Sequence, residues 1–108
     1  MSDLAAGLCG SIGIAPSSSL DPTRKCPSLF EPVHGAAFDI MGKNLANPVA
    51  AMLSAIEMLK WLGEQEAAFM LERAVRKSLK EGQTTGDLGG KLSTSEVAEQ
   101  ICSYIEQE

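Results

Sequence analysis

An apolar stripe in the middle of this chain needs a partner surface that the sequence barely provides. The sequence predicts a helix with one buried face, because apolar residues recur at helical spacing at Val49, Met52, Leu53, Ile56 and Leu59. Asn47 is a favourable N-cap, Pro48 suits the first helical position, and Gly63 ends the helix. We expect Met58 and Trp61 to belong to the same core.

Two further helices are predicted downstream. The first runs from about Glu64 to Glu81 and is stopped by Gly82; its inward positions are Ala67, Leu71, Ala74, Val75 and Leu79. Ser93 and Glu96 predict a capping box for the last helix. The apolar positions of that helix are Val97, Ile101, Tyr104 and Ile105.

Strand signals are few and lie upstream. Residues 2–9 predict a short helix, and residues 12–15 predict a short strand that ends at Pro16. Residues 17–25 are turn and loop by composition, and residues 26–33 predict an extended strand. These elements do not alternate as a self-contained βαβ domain would, so we interpret the chain as part of a larger fold.

Composition limits the classes of partner. The 108 residues allow one domain at most, and 44% hydrophobic with 21% charged residues is a globular composition. A net charge of −5 argues against nucleic acid or an anionic membrane as partner. Cys9, Cys26 and Cys102 share no metal-ligand spacing and are interpreted as reduced thiols of a cytoplasmic protein.

The stretch from Phe30 to Pro48 carries the densest set of polar and small residues. Four varied polar side chains surround two glycines, and such a loop lets the backbone approach a ligand closely; they are Glu31, His34, Asp39 and Asn47, around Gly35 and Gly42. The Asp39 carboxylate is a poor phosphate ligand but a good acceptor for two vicinal hydroxyls, as on a ribose. The loop is therefore predicted to be an adenosine site.

The same stretch resembles the cofactor loop of the NAD-dependent β-decarboxylating dehydrogenases, which act on isopropylmalate, isocitrate, homoisocitrate, tartrate or D-malate. The matching positions are Glu31, Pro32, Val33, His34, Gly35, Ala37, Asp39, Ile40, Gly42, Lys43, Ala46, Asn47 and Pro48. The resemblance extends to Asp87-Leu88-Gly89-Gly90. Ala36 departs from the usual Ser or Thr, and Phe38 departs from the usual Pro. Phe38 favours the tartrate or D-malate branch.

The resemblance implies an α/β fold class. Residues 1–108 would be a single partial domain, the C-terminal and adenosine-binding part of the large domain of the isopropylmalate dehydrogenase-like fold. This part is expected to be mostly helices with one or two short strands. More than half of the full enzyme would lie upstream.

The resemblance also implies which residues bind the cofactor: Glu31, His34, Gly35, Ala36, Ala37, Asp39, Ile40 and Asn47. Asp39 would accept a hydrogen bond from a free 2′-hydroxyl and repel a 2′-phosphate, which favours NAD. Ile40 would pack on the adenine. Asn47 can pair with the polar edge of adenine or cap the helix, and both roles can coexist. His34 can line the adenosine site or be an ordinary loop histidine.

A metal ligand is implied at Asp3. Ser2 and Asp3 match the second half of a family motif in which two aspartates four residues apart share Mg²⁺ or Mn²⁺. The alternative is an acid favoured by the helix dipole. The catalytic Tyr, Lys and Arg of the family lie upstream, so no catalytic residue is assigned here, and Tyr104 does not match the family tyrosine.

The full enzyme implied by the resemblance oxidises and decarboxylates a 2-hydroxy acid bearing a 3-carboxylate, using NAD and a divalent metal, and forms a homo-oligomer. We expect this chain alone to be inactive. Two other interpretations stay open. The chain can be a truncated, non-catalytic module that binds nucleotide or associates with itself, or a purely structural helical domain without ligand.

Overall fold

The computed structural model describes residues 16–34 and 36–107. Its regular elements, in chain order, are β1 (Pro16–Ser19), β2 (Leu29–Pro32), α1 (Val49–Trp61), α2 (Gln65–Lys80), a 3₁₀ turn (Gly86–Leu88) and α3 (Thr94–Glu106). The predicted α/β class, mostly helical with two short strands, is confirmed for this part of the chain. The helix predicted over residues 2–9 and the strand predicted over residues 12–15 lie outside the described residues.

The two strands form an antiparallel hairpin in which Pro16 lies opposite Pro32 and Ser19 lies opposite Leu29. Assigning residues 17–19 to a loop was therefore wrong. Serine has a weak preference for strands, but pairing with β2 satisfies the backbone polar groups and overrides that preference.

Strand β2 is shorter than the predicted segment of residues 26–33 because an aspartate closes a turn before it. One Asp21 carboxylate oxygen accepts the backbone N–H of Cys26 at 2.7 Å and that of Lys25 at 3.1 Å. The other oxygen accepts the N–H and hydroxyl of Thr23 at 3.0 and 2.7 Å. The backbone over residues 21–26 is therefore committed to the turn, and the strand begins only at Leu29.

One arginine of this turn fastens the hairpin to α1. The Arg24 guanidinium lies 3.8 Å from the centroid of the Trp61 ring, and its Nη2 donates a 2.8 Å hydrogen bond to the Trp61 carbonyl. Carbonyls in the last helical turn have no intrahelical partner, and a cation there also complements the helix dipole. Arg24 therefore pairs with one carbonyl at the end of α1 and also connects the turn before β2 to that helix.

The core lies where the three helices meet. Its buried apolar members are Val49, Ile56, Ala68, Ala74, Val75, Val97, Ile101 and Tyr104. Two inward assignments were wrong, since Ala67 and Met58 are exposed. Neighbouring helical residues are rotated by about 100°, which places Ala68 rather than Ala67 on the buried face, and Met58 lies nearly opposite Ile56. Trp61 is half-buried beneath Arg24.

The helix ends follow the sequence signals. Gly63 has φ +85° and Gly82 has φ +73°, left-handed conformations that terminate α1 and α2 at little steric cost. No helix in the described part of the chain is long and apolar enough to cross a bilayer.

A buried tyrosine joins α3 to the end of α2. The Tyr104 hydroxyl donates a hydrogen bond to the Glu81 carboxylate, and the Lys77 ammonium lies 4.7 Å from the centroid of the Tyr104 ring. The bond to Glu81, together with burial, raises the pKa of the Tyr104 hydroxyl above its usual range. The hydroxyl therefore acts as a structural donor.

Candidate functional site

The start of α1 is organised by a buried asparagine. Asn47 is 7% exposed, and its side-chain oxygen accepts the backbone N–H of Val49 at 2.9 Å. Pro48 flanks the helix with φ −82° and ψ −2°, and its carbonyl accepts the N–H of Met52 at 3.1 Å. The side chain of Asn47 thus satisfies a helix N–H as the sequence predicts, although the helix begins one residue later than expected.

The opposite end of the same amide group faces a carboxylate. Asn47 Nδ2 donates a 3.1 Å hydrogen bond to Asp87 Oδ2, although 40 residues separate the two in sequence. The other carboxylate oxygen of Asp87 accepts the Thr85 hydroxyl. The Asn47 amide is therefore held at its oxygen and at its nitrogen by different segments of the chain.

Asp87 belongs to a tight turn that explains its glycine-rich motif. A Cβ atom on Gly90 would lie 2.0 Å from the Thr84 carbonyl oxygen, so only glycine fits there. The N–H of Gly90 donates to the Thr85 carbonyl and that of Leu92 donates to the Thr84 carbonyl, both at 3.0 Å. Thr85 is fully buried. The motif thus forms a tight turn that places the Asp87 carboxylate within hydrogen-bonding distance of Asn47.

A second asparagine fastens the preceding loop to α3. The Asn44 carbonyl accepts the N–H of Thr94 at 3.0 Å, and its side-chain oxygen accepts the N–H of Ser95 at 3.1 Å. Asn44 Nδ2 donates to the Ser95 hydroxyl at 2.9 Å, and the Thr94 hydroxyl donates to the Ala46 carbonyl. Asn44 has φ +60°, a left-handed conformation that asparagine tolerates better than most residues. The end of the loop is therefore anchored to the N-terminus of α3.

These contacts also complete the N-terminus of α3. The predicted capping box is confirmed: the Ser93 hydroxyl accepts the N–H of Glu96 at 3.3 Å, and Glu96 Oε1 accepts the N–H of Ser93 at 3.0 Å. The backbone bond from Ser93 lowers the pKa of the Glu96 carboxyl below its usual range. Since Asn44 already accepts the first two helix N–H groups, those groups point at protein acceptors rather than at an anion.

The loop between Ala36 and Lys43 is a run of turns. It contains a strained backbone conformation at Ala37 and an exposed aromatic side chain at Phe38. Ala37 has φ +48°, which is unfavourable for a residue with a Cβ atom. The Ile40 N–H donates to the Ala37 carbonyl at 3.1 Å, and the Lys43 N–H donates to the Ile40 carbonyl at 3.2 Å. Phe38 is 81% exposed. Strained backbone conformations concentrate at functional sites, which supports the stretch from Phe30 to Pro48, called the candidate loop below, as a functional site.

The residues predicted to bind cofactor are placed as follows in the described part of the loop. Glu31, Ala36 and Asp39 are exposed, while His34, Ala37 and Ile40 are half-buried and Asn47 is buried. Gly35 and the proposed metal ligand Asp3 lie outside the described residues. The cofactor roles stay predictions. Within residues 16–34 and 36–107, no three His, Cys, Asp or Glu side chains lie together as metal ligands.

Sequence reasoning missed the residues that hold the loop in place, namely Asn44, Asp87, Thr94 and Ser95. The Asp-Leu-Gly-Gly motif was visible, but it carried no sign that its aspartate reaches residue 47. Contacts between residues 40 to 51 positions apart leave no periodic trace in one sequence.

Comparison with known proteins places this arrangement in a family. The model of the isocitrate/isopropylmalate dehydrogenase family matches residues 1–101. A probable tartrate dehydrogenase/decarboxylase of Agrobacterium vitis is 50% identical over 97% of this chain, and the 3-isopropylmalate dehydrogenase of Archaeoglobus fulgidus is 50% identical over 98% of it. The isocitrate dehydrogenase structure from Methylococcus capsulatus has a TM-score of 0.90 and 39% identity over 97% of this chain.

The match covers only part of each relative. This chain spans 29% of the Agrobacterium protein, 32% of the Archaeoglobus protein and 31% of the Methylococcus chain. Relatives named for different substrates are equally identical to it, so identity does not separate the tartrate branch from the isopropylmalate branch. In sequence and in fold, this chain belongs to the isocitrate/isopropylmalate dehydrogenase family.

Proposed function

We propose that this chain forms the adenosine-binding part of a dehydrogenase that oxidises and decarboxylates a 2-hydroxy acid bearing a 3-carboxylate, with NAD as oxidant and Mg²⁺ or Mn²⁺ as metal. The observation that carries the proposal is the family match over residues 1–101, which includes the whole candidate loop. The names of the relatives, tartrate dehydrogenase/decarboxylase and 3-isopropylmalate dehydrogenase, support this class of substrate.

The side chains of the loop fit the adenosine half of NAD. Asp39 is an exposed carboxylate, and it can accept from both hydroxyls of a ribose. Ile40 is half-buried and offers an apolar surface of the kind on which a purine packs. Asn47 presents an amide whose direction is already fixed by Val49 and Asp87. A preorganised polar group costs less ordering entropy when a ligand binds.

The contribution of this chain to the reaction would be binding and orientation. NAD would supply the hydride acceptor when bound, and the loop residues would hold its adenosine end. Binding energy from such a remote part of a cofactor can be used to align the reacting groups. Asp3 is proposed as one metal carboxylate, and an octahedral ion needs further ligands from outside this chain.

The cofactor assignment is tested by calorimetric titration of the chain with NAD and with NADP. We expect NAD to bind more tightly, since the Asp39 carboxylate repels a 2′-phosphate. Asp39→Lys should erode that preference, while Glu99→Lys, the same charge change at an exposed position of α3, should leave it intact. Equal affinities of the wild-type chain for NAD and NADP would remove Asp39 from the proposed role.

The absence of catalytic residues is tested by a turnover assay. The chain with NAD, Mn²⁺ and D-malate or tartrate should produce no NADH, because the family's catalytic Tyr and Lys have no match here. Measurable NADH production would show that the chain contains catalytic residues that were not assigned.

A second candidate function is self-association, favoured by the apolar surface of the described residues. Eight large apolar side chains are exposed, namely Leu20, Leu29, Phe38, Met41, Leu45, Met58, Leu62 and Phe69. Exposed apolar surface favours association. Sedimentation equilibrium of the chain and of Phe69→Ser tests this candidate: a dimer weakened by the substitution supports it, and a monomer at every concentration rejects it.

A further inference from the structure

Asp87 has no role that its position in the sequence alone would indicate. Asp87 lies outside the candidate loop, in the turn before α3, yet its carboxylate accepts the Asn47 amide at 3.1 Å. An ionised carboxylate can only accept hydrogen bonds, whereas an asparagine amide can present either its oxygen or its nitrogen. The contact therefore dictates which end of the Asn47 amide points at the turn.

The other end of the amide is fixed independently. The Val49 N–H is a donor, so only the Asn47 oxygen can face it, and the two are 2.9 Å apart. The Val49 N–H is a donor on one side of the amide and the Asp87 carboxylate is an acceptor on the other, so only one orientation of the amide satisfies both. One further N–H and one further carbonyl lone pair remain in the hydrogen-bonding capacity of the group.

We propose that Asp87 is a positioning residue that holds the Asn47 amide in the orientation needed to read the polar edge of adenine. This proposal rests on the function proposed above. Adenine carries an amino donor next to a ring-nitrogen acceptor, and asparagine is well suited to pair with such an edge. If the Asn47 amide were rotated by 180°, its N–H would face the adenine amino group and its oxygen would face the ring nitrogen. Neither pair can form a hydrogen bond, so adenine would bind more weakly.

The surroundings of Asp87 support a positioning role. The Thr85 hydroxyl donates to its second oxygen, and Thr85 is itself fully buried. Gly90 packs so closely on Thr84 that a Cβ atom would be 2.0 Å from the Thr84 carbonyl oxygen. Asp87 itself is exposed, but both of its carboxylate oxygens accept hydrogen bonds, from Asn47 and from Thr85, and the turn that carries it is closely packed at Gly90. Such support suits a residue that must orient another side chain.

The test compares two probes, NAD and nicotinamide hypoxanthine dinucleotide, in which an oxygen replaces the adenine amino group. Calorimetry of the wild-type chain should show a preference for NAD of about tenfold, the size expected for one well-oriented base contact. Asp87→Ala should reduce this preference to less than about twofold by weakening NAD binding. Asp87→Asn can still accept from Asn47, so it should retain most of the preference.

Thr85→Val provides a milder variant should Asp87→Ala fail to fold. It removes only the hydroxyl that holds Asp87 and should lower the preference part of the way. The NMR signals of the Asn47 side-chain amide should shift in Asp87→Ala and in Thr85→Val, and much less in Asp87→Asn. Ser93→Ala is the matched control, because it breaks the capping box and lowers Tm without touching Asn47. It should leave the preference unchanged.

The outcomes separate this inference from the proposed function. If the wild-type chain binds neither dinucleotide, the proposed function fails. If it prefers NAD and Asp87→Ala keeps the full preference, the positioning role fails while the proposed function stands. An Asp87→Asn variant as impaired as Asp87→Ala would show that the charge of the carboxylate matters rather than its hydrogen bond, and would also overturn the inference.

Discussion

The side-chain oxygen of Asn44 accepts the backbone N–H of Ser95 at 3.1 Å across 51 residues of sequence. This bond joins the end of the candidate loop to the first turn of α3, where the carbonyl of Asn44 also accepts the N–H of Thr94. The loop and the last helix therefore form one unit, and the stability of each depends on the other.

Asn44→Ala should lower the free energy of unfolding by about 2 kcal/mol. It removes the side-chain acceptor of a helix N–H, worth about 1 kcal/mol. It also places alanine, which tolerates the left-handed region less well than asparagine, at φ +60°, and this costs about 1 kcal/mol more. Asn44→Gly loses only the first contribution, because glycine adopts this φ freely. Urea unfolding of both variants measures the difference, and equal stabilities would contradict the backbone part of the explanation.

Ala37→Gly should leave the chain as stable as the wild type or stabilise it by up to about 1 kcal/mol. The substitution relieves the strain of φ +48° but adds backbone freedom to the unfolded chain. Ala36→Gly is the matched control, since Ala36 is not among the described residues with positive φ and its substitution should only destabilise. Urea unfolding of the pair tests this, and a larger loss of stability at position 37 than at position 36 would refute it.

Arg24→Ala should destabilise the chain by about 1 kcal/mol and change the fluorescence of Trp61, the single tryptophan. The variant loses the cation stacked 3.8 Å from the indole centroid and the donor to the Trp61 carbonyl. Arg24→Lys keeps the charge but not the planar group, so it should recover only part of the loss. An emission spectrum of Arg24→Ala identical to that of the wild type would show that the stack does not form in solution.

Asp21 should make stability depend on pH in the acid range. The Asp21 carboxylate accepts hydrogen bonds from the N–H of Cys26 and from the hydroxyl and N–H of Thr23. These bonds hold the pKa of the Asp21 carboxyl below the usual value of 3.8. A carboxyl whose pKa is lower in the folded state stabilises the fold above the unfolded pKa, and this contribution is lost as pH falls through the folded pKa. Asp21→Asn should therefore remove part of the decline in unfolding free energy below about pH 4. An NMR titration that places the Asp21 pKa at or above 3.8 would contradict this.

Helix positions and helix ends were predictable because they depend on local signals. The stripe from Val49 to Leu59, the positive φ at Gly63 and the capping box at Ser93 all involve residues only a few positions apart. The family was also predictable, since the matched positions lie within the single stretch from Glu31 to Pro48. The cofactor roles of the residues in that stretch stay predictions.

What could not be predicted depends on partners distant in sequence. Residues 17–19 form a strand only because β2 lies beside them, and local composition favoured a loop. Asn47 showed its capping role in sequence, but its bond to Asp87 required the fold. Which of two adjacent alanines in α2 is buried depends on how that helix packs against α1 and α3, and a small shift of the buried face selects Ala68.

The two asparagine contacts bear on any attempt to exchange the segment between residues 36 and 47 for that of another dehydrogenase. In the native chain, Asp87, Thr94 and Ser95 form hydrogen bonds with residues of this segment. An inserted segment with other residues at those positions would leave the three without these partners. Transplants that carry positions 84–95 together with the segment should retain native shape, whereas shorter grafts leave unpaired polar groups on both sides of the junction.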